Sequence, residues 1–235
     1  MNGPATTAEI EHRIEDEDLA RARWYGFFAR WLLGPPDEEA LRLVAAADGP
    51  ADARAGDLAA AWDAFRAAAL ASTPETLRLA YDDTFISTGN APVSLHASVY
   101  LSGFANEWPL VEVRRWLGGL GIERNGAGLL TEDHLGLLCE VMAWLIIERD
   151  AQPGEPDSAR GKEGGVPSAQ PGASPRASGA GQPPQQFLFR RFLAPVYEDF
   201  ARRLANAPDA GAYRELGRVF EAFMGIERLA FDIDD

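Results

Sequence analysis

The residues best suited to polar chemistry are the adjacent pair Asp133-His134, a carboxylate beside an imidazole. The pair stands near the start of residues 131–147, the densest apolar run of the chain. There Thr131 or Asp133 could accept hydrogen bonds from the free amides of a helix's first turn. One interpretation is therefore a helix cap. The other is a polar recognition point at the mouth of a groove, because adjacent helical residues do not face each other and make a poor catalytic dyad.

Other catalytic or metal-binding patterns are weak. The chain has three histidines, His12, His96 and His134, and none has zinc-type spacing to another histidine or to the single Cys139. His12 completes one Glu-x-x-His pattern, whereas a di-iron bundle needs two such patterns and two further carboxylates. The sequence contains no phosphate-binding loop, nucleophile elbow or dinucleotide fingerprint. We predict no enzymatic activity, metal or cofactor. The rival hypothesis is a helical-bundle enzyme or ligand-binding protein that uses His134 and nearby carboxylates.

Charge and hydropathy limit the partners and the compartment. Asp and Glu total 36 against 22 Lys and Arg, a net charge of -14, which argues against nucleic acid or an anionic membrane and favours a basic partner. Residues 1–20 lack the pattern of a secretory signal, and no apolar run reaches the roughly 20 residues of a membrane span. Cys139 is expected to be a buried, inert thiol. The sequence therefore predicts a cytoplasmic protein without membrane insertion.

Apolar residues recur at three- and four-residue spacing along the chain, which predicts an all-α fold. The expected helices are 16–33 ending at Gly-Pro-Pro, 38–47 capped by Asp37, 55–70, 74–85, 109–120, 131–147, 185–204 interrupted by Pro195, and 213–224. Residues 87–101 are predicted to be a loop. The 131–147 helix is apolar nearly all round and should lie in the middle of the fold. Aromatic residues at helical spacing are expected in the core: Trp24, Phe28, Trp62, Phe65, Trp144 and Phe192.

Composition divides the chain into four parts. Residues 1–14 are predicted to be a flexible arm and 15–150 a helical body. Residues 151–186 contain seven Gly and seven Pro and lack aromatic residues, which is typical of a disordered linker because little surface can be buried. Residues 187–235 should form C-terminal helices that pack on the same body.

Two segments resemble the TorD/DmsD/NarJ-like family of redox enzyme maturation chaperones. Glu132-Asp133-His134-Leu135-Gly136, followed by Glu140-Val-Met-Ala-Trp-Leu145, is similar to the family's Asp-His helix. Tyr81-Asp82-Asp83-Thr84-Phe85 and Ser98-Val99-Tyr100-Leu101 match a signature near the client-binding surface. Thr84 and His96-Ala97 depart from that signature. A related Phe-Leu-x-Pro pattern occurs at residues 192–195.

The resemblance, closest to the TorD-like branch, implies a single helical bundle with a long flexible linker before its C-terminal helices. It implies a chaperone that binds the twin-arginine-type leader of an apo molybdenum-cofactor oxidoreductase and supports cofactor insertion before export or assembly. It also implies a possible domain-swapped homodimer. The resemblance leaves two questions undecided: whether the chain is instead a NarJ-like assembly factor that binds the folded enzyme and not its leader, and whether it binds guanine nucleotide. The client-binding residues implied are Tyr81, Asp82, Phe85, Ser98, Tyr100, Glu132, Asp133 and His134.

Overall fold

The computed structural model describes residues 7–50, 56–86, 91–105, 107–122, 130–151 and 182–233. These residues form ten α-helices and no strand, which confirms the predicted all-α class. The helices are α1 Thr7–Leu32, α2 Glu38–Ala46, α3 Gly56–Leu70, α4 Pro74–Tyr81, α5 Ala97–Ser102, α6 Trp108–Gly119, α7 Leu135–Ala151, α8 Pro184–Leu188, α9 Tyr197–Asn206 and α10 Ala212–Ile233. π-Helical turns at Asp82–Ile86 and Phe189–Leu193 continue α4 and α8.

Several predicted helix boundaries shift. Helix α1 begins at Thr7, well before the predicted start at Asp16. The predicted loop 87–101 is wrong in part, because α5 begins at Ala97. Most of the linker predicted at 151–186 lies outside the described residues, and α8 begins at Pro184, before the linker's predicted end. Residues 1–6 of the predicted arm are also outside the described ranges.

Local sequence signals set the starts of two short helices. Asp37 caps α2, since its carboxylate accepts a hydrogen bond from the Ala40 amide at 2.9 Å. Thr73 and Thr76 form a reciprocal capping box at the start of α4, which satisfies amides that lack a partner within the helix. The predicted interruption at Pro195 is also confirmed, because a turn at 194–196 separates the π-helical turn from α9.

The core is built around the contact between α1 and α7. A Cβ atom on Gly136 would lie 2.9 Å from Cγ of Leu33 and 3.1 Å from its backbone nitrogen, so glycine permits this close approach. Helix α10 packs on α3 and α9, and its aromatic side chains contact those of α1. Its Phe220 and Phe223 contact the rings of Phe28 and Tyr25 edge-on. The C-terminal helix is thus part of the same core as the N-terminal one.

A buried ion pair reinforces the contact between α1 and α10. Arg21 donates two hydrogen bonds to the Glu227 carboxylate, at 2.8 and 2.9 Å, and the Tyr25 hydroxyl donates a third at 2.9 Å. These bonds compensate for burying the Glu227 charge. Within the described ranges, no helix is both long enough and apolar enough to cross a bilayer.

Candidate functional site

The structure separates the predicted site residues into two groups. The first lies where α7 begins and contains Ser98, Asp133 and His134, with Glu132 beside them in sequence. The second is formed by Tyr81 and Phe85 at the junction of α4 and its π-helical turn. Asp133 and Ser98 are fully buried, and His134, Tyr81 and Phe85 are nearly so. These side chains are therefore not accessible to a partner in this conformation.

Asp133 is the centre of a dense hydrogen-bond network. One carboxylate oxygen accepts from the backbone amide and hydroxyl of Ser98, at 3.1 and 2.5 Å. The other accepts from the Thr131 hydroxyl at 2.5 Å and lies 3.4 Å from Nδ1 of His96. Burial opposes ionisation of this group, but the hydrogen bonds from His96, Ser98 and Thr131 outweigh it and hold the pKa well below its usual range. Asp133 is therefore a buried carboxylate ion.

Asp133 caps a helix other than its own. Ser98 lies in the first turn of α5, whose N-cap residue His96 makes no side-chain cap bond. The carboxylate of Asp133 supplies the missing acceptor from across the structure. The predicted cap on the following helix is supplied instead by His134, whose Nδ1 accepts from the Gly136 amide at 3.1 Å. Asp133 is thus a helix cap, as one interpretation predicted, but it caps α5, and His134 caps α7.

His134 is a neutral histidine. Its Nδ1 accepts a hydrogen bond, so the proton of the neutral ring must reside on Nε2. Burial, together with the nearby His96, lowers the pKa of His134 to about 4, although Asp133 acts in the opposite direction. A buried neutral imidazole that already caps a helix is poorly suited to act as a nucleophile's base or a metal ligand.

A single antiparallel bridge brings the two histidines together. The Ala97 amide donates to the Asp133 carbonyl at 2.9 Å, and the Leu135 amide donates to the Leu95 carbonyl at 2.7 Å. His96 and His134 face each other between these bonds, an arrangement that places side chains close together. Their ring centroids are 5.4 Å apart with nearly perpendicular planes. The bridge fixes the chain before α5 against the start of α7.

Two further predicted residues lie at the edge of this network. The Tyr100 hydroxyl donates to the Ser94 carbonyl at 2.7 Å, and the Arg203 guanidinium lies 5.0 Å from its ring centroid. Glu132 forms a two-bond ion pair with Arg114 at 2.7 and 3.0 Å. Both interactions leave the side chains partly accessible, so Tyr100 and Glu132 are the members of the predicted set nearest to solvent at this end of α7.

The second group is an aromatic cluster. The Tyr81 hydroxyl donates to the Leu32 carbonyl at 2.9 Å, and burial raises the pKa of Tyr81 to about 12. Phe85 and Tyr213 each pack against the Tyr81 ring, with centroids 5.0 and 5.8 Å away. Asp82 points outward and pairs with Arg78 at 2.8 Å. This group joins α4 to α1 and α10, and of its predicted residues Asp82 is the accessible one.

Helix α7 carries an exposed apolar stripe that was not predicted from the sequence. Its inner face is fully buried, as predicted, but Trp144 and Ile147 are 44% and 53% exposed. The prediction that Trp144 belongs to the core is wrong. The stripe comprises the exposed Trp144 and Ile147 and the half-buried Leu137, with the exposed Glu140 as its charged member. Positions 137, 140, 144 and 147 follow a three- and four-residue spacing and so share one helix face.

A cleft of about 500 Å³ lies beside this stripe, between α1 and α7. Glu140 and Ala143 of α7 line one wall, and Gly26 and Ala29 of α1 line the other. The Glu140 side chain is exposed and has no ion-pair partner within the described ranges. The small residues on both walls leave space in the cleft, which the Arg30–Asp37 ion pair also lines.

The described residues hold no group of three or more His, Cys, Asp or Glu side chains that could bind a metal ion. His12 lies outside the residues whose side chains are described. Cys139 is buried in α7, and burial raises the pKa of its thiol well above the usual range. It is therefore an unreactive thiol.

These features define an all-helical protein with a buried, hydrogen-bonded polar cluster and an exposed apolar stripe. Residues 51–164 match the family model described as nitrate reductase delta subunit. The match covers just under half of the chain, spans both segments that resemble the TorD/DmsD/NarJ-like maturation chaperones and is consistent with that family. Its members assist molybdoenzyme maturation, bind the catalytic subunit and are not catalytic enzymes. No curated protein sequence matches the chain at a significant level.

Proposed function

We propose that this chaperone acts in the cytoplasm and binds the N-terminal, twin-arginine-type leader of its apo molybdoenzyme client. The observation that carries the proposal is the pair of exposed side chains Trp144 and Ile147, with the half-buried Leu137 on the same face of a helix whose other face is core. A helix face of a soluble protein is normally polar where it meets water. Exposed apolar side chains on one helix face are the surface that an apolar peptide segment requires.

The expected binding combines apolar burial with charge. Each 100 Å² of apolar surface removed from water contributes roughly 2.5 kcal/mol. The unpaired Glu140 lies within the stripe, and the net charge of -14 attracts basic residues at long range. A leader with an arginine pair next to an apolar segment meets both requirements, whereas an acidic peptide would be repelled.

The proposal is tested with a synthetic, fluorescently labelled peptide that carries an arginine pair followed by a leucine-rich segment. The double variant Trp144→Ser, Ile147→Ser should weaken binding by at least about tenfold, because buried aromatic and aliphatic anchors dominate such interfaces. The matched control is Leu79→Ser, Leu229→Ser, which removes two exposed side chains from α4 and α10. Equal affinities for the two double variants would contradict binding at the α7 stripe.

The charge contribution is tested in the same assay. Glu140→Gln should weaken binding of the peptide, and Glu221→Gln should not, although both variants remove one exposed carboxylate without an ion-pair partner in the described residues. The comparison holds the change in net charge constant. A similar loss in both variants would show that charge acts at long range and not through Glu140.

A second candidate function follows from the family comparison. The matching family model is described as nitrate reductase delta subunit, which favours a factor that grips the body of the catalytic subunit. In that case the client would remain bound after deletion of its leader, and the synthetic peptide would bind weakly or not at all.

A further inference from the structure

We infer that His96 is a specificity-determining residue, whose Nε2 lone pair accepts a hydrogen bond from a cationic donor of the client leader. This inference rests on the proposed function and names a polar contact within it. The His96 side chain is 32% exposed, whereas the Asp133 and Ser98 side chains that complete the network are fully buried. One edge of the ring faces the network and leaves Nε2 as its remaining polar atom.

The network fixes which nitrogen of His96 carries the proton. The Thr131 hydroxyl has one proton and donates it to Asp133 at 2.5 Å, a separation typical of a hydrogen bond to a charged acceptor. Oγ1 of Thr131 can then only accept from Nδ1 of His96, which lies 3.0 Å away. The second neighbour of Nδ1 is the Asp133 carboxylate, which is also an acceptor. The proton of the neutral ring is therefore on Nδ1.

With its proton on Nδ1, a neutral His96 presents Nε2 as a bare acceptor. The acceptor is held in a fixed orientation by the antiparallel bridge, by the bond from the His96 amide to the Ser94 hydroxyl at 3.1 Å, and by the His134 ring. A preorganised acceptor loses little entropy on binding. Guanidinium and ammonium groups donate hydrogen bonds and cannot accept them, and they are the groups that an acidic chain attracts.

Two substitutions separate this role from a structural one. His96→Asn places an amide near the position of Nδ1, where it can donate to Thr131 and Asp133, but it removes the outer acceptor. His96→Gln extends a carbonyl oxygen toward the position of Nε2 but loses the inner donor. A binding role predicts that the Asn variant loses affinity and the Gln variant keeps it. A structural role alone predicts the opposite order, because only the inner contact joins elements of the fold.

The experiment measures binding of the labelled arginine-pair peptide, and of the same peptide with both arginines replaced by norleucine, to the full chain. His96→Asn should weaken binding of the arginine peptide by about tenfold, and His96→Gln by less than about threefold. All three proteins should bind the norleucine peptide equally. Thermal unfolding of each variant is recorded, with the Gln variant expected to be the less stable of the two.

Each outcome separates this inference from the proposed function. If the wild-type chain binds the arginine peptide and both His96 variants bind it equally well, the contact is wrong while leader binding stands. The same conclusion follows if His96→Asn weakens both peptides equally. If the wild-type chain binds neither peptide, the proposed function fails and this inference fails with it.

Discussion

His134 should make the protein sensitive to mild acid. Burial and the nearby His96 lower the pKa of His134 from 6.5 to about 4. Between these values the unfolded chain binds more protons than the folded one, so stability declines as pH falls through 6.5 and levels off below about 4. The difference in proton binding lowers the free energy of unfolding by about 2 kcal/mol between pH 7.5 and pH 5, and by about 3 kcal/mol by pH 4.

The matched variant is His134→Asn. Its side-chain oxygen can occupy the position of Nδ1 and accept from the Gly136 amide, which His134 caps at 3.1 Å. The variant keeps the cap but does not titrate. Urea unfolding should show it less stable than wild type by about 1 kcal/mol at pH 7.5, owing to its smaller volume.

The pH comparison isolates the titration. On going from pH 7.5 to pH 5 the wild type should lose about 2 kcal/mol relative to His134→Asn, because the loss from His134 affects the wild type alone, so the order reverses and the variant becomes the more stable by about 1 kcal/mol. Other titrating groups act on both proteins and cancel. A constant difference across this range would refute the assignment of His134 as a neutral group excluded from water.

Four further predictions concern the network, the core, binding and assembly. Asp133→Ala should cost about 3 kcal/mol in urea unfolding and Asp133→Asn about half of that, because an amide still accepts from the Ser98 amide; equal costs would contradict the charged network. Gly136→Ala should cost about 1 to 2 kcal/mol through contact with Leu33, whereas Gly225→Ala, with open space around it, should stabilise by up to about 1 kcal/mol. Affinity for the arginine peptide should fall as salt rises from about 50 to 500 mM, and an unchanged affinity would exclude electrostatic attraction. The domain-swapped homodimer that the resemblance implies as possible would give a dimer in size-exclusion chromatography with light scattering, and monomer alone at high concentration would argue against it.

Most of the fold followed from periodicity and capping residues. Asp37 and Pro195 marked their boundaries correctly because each acts through its own backbone or its nearest turn. The start of α1 at Thr7 was missed because residues 7–15 are polar and acidic and lack an apolar stripe. Helix α5 was missed for a different reason. Six residues are too few for a periodic signal, and its cap comes from Asp133, which is distant in sequence.

The sequence identified several residues of the polar cluster, but it did not predict their contacts. Asp133 and His134 could be singled out from their types and position, but the exchange of caps between α5 and α7 depends on a tertiary bridge that no local pattern encodes. Trp144 was assigned to the core because periodicity reports which residues share a helix face, but not whether another element covers that face. His96 stood out only as a departure from the family signature. Its partial exposure and its contacts with Thr131 and Asp133 depend on the packing of distant segments.

The central claim is that the chain holds the leader of an apo molybdoenzyme. The most direct test is affinity purification of a tagged copy from its native host at low salt, with mass spectrometry of the proteins that accompany it, repeated in a strain in which the client's leader is deleted. The account predicts that a molybdenum oxidoreductase catalytic subunit is recovered and is lost when its leader is removed. Recovery of that subunit irrespective of its leader would contradict leader binding and support recognition of the enzyme body.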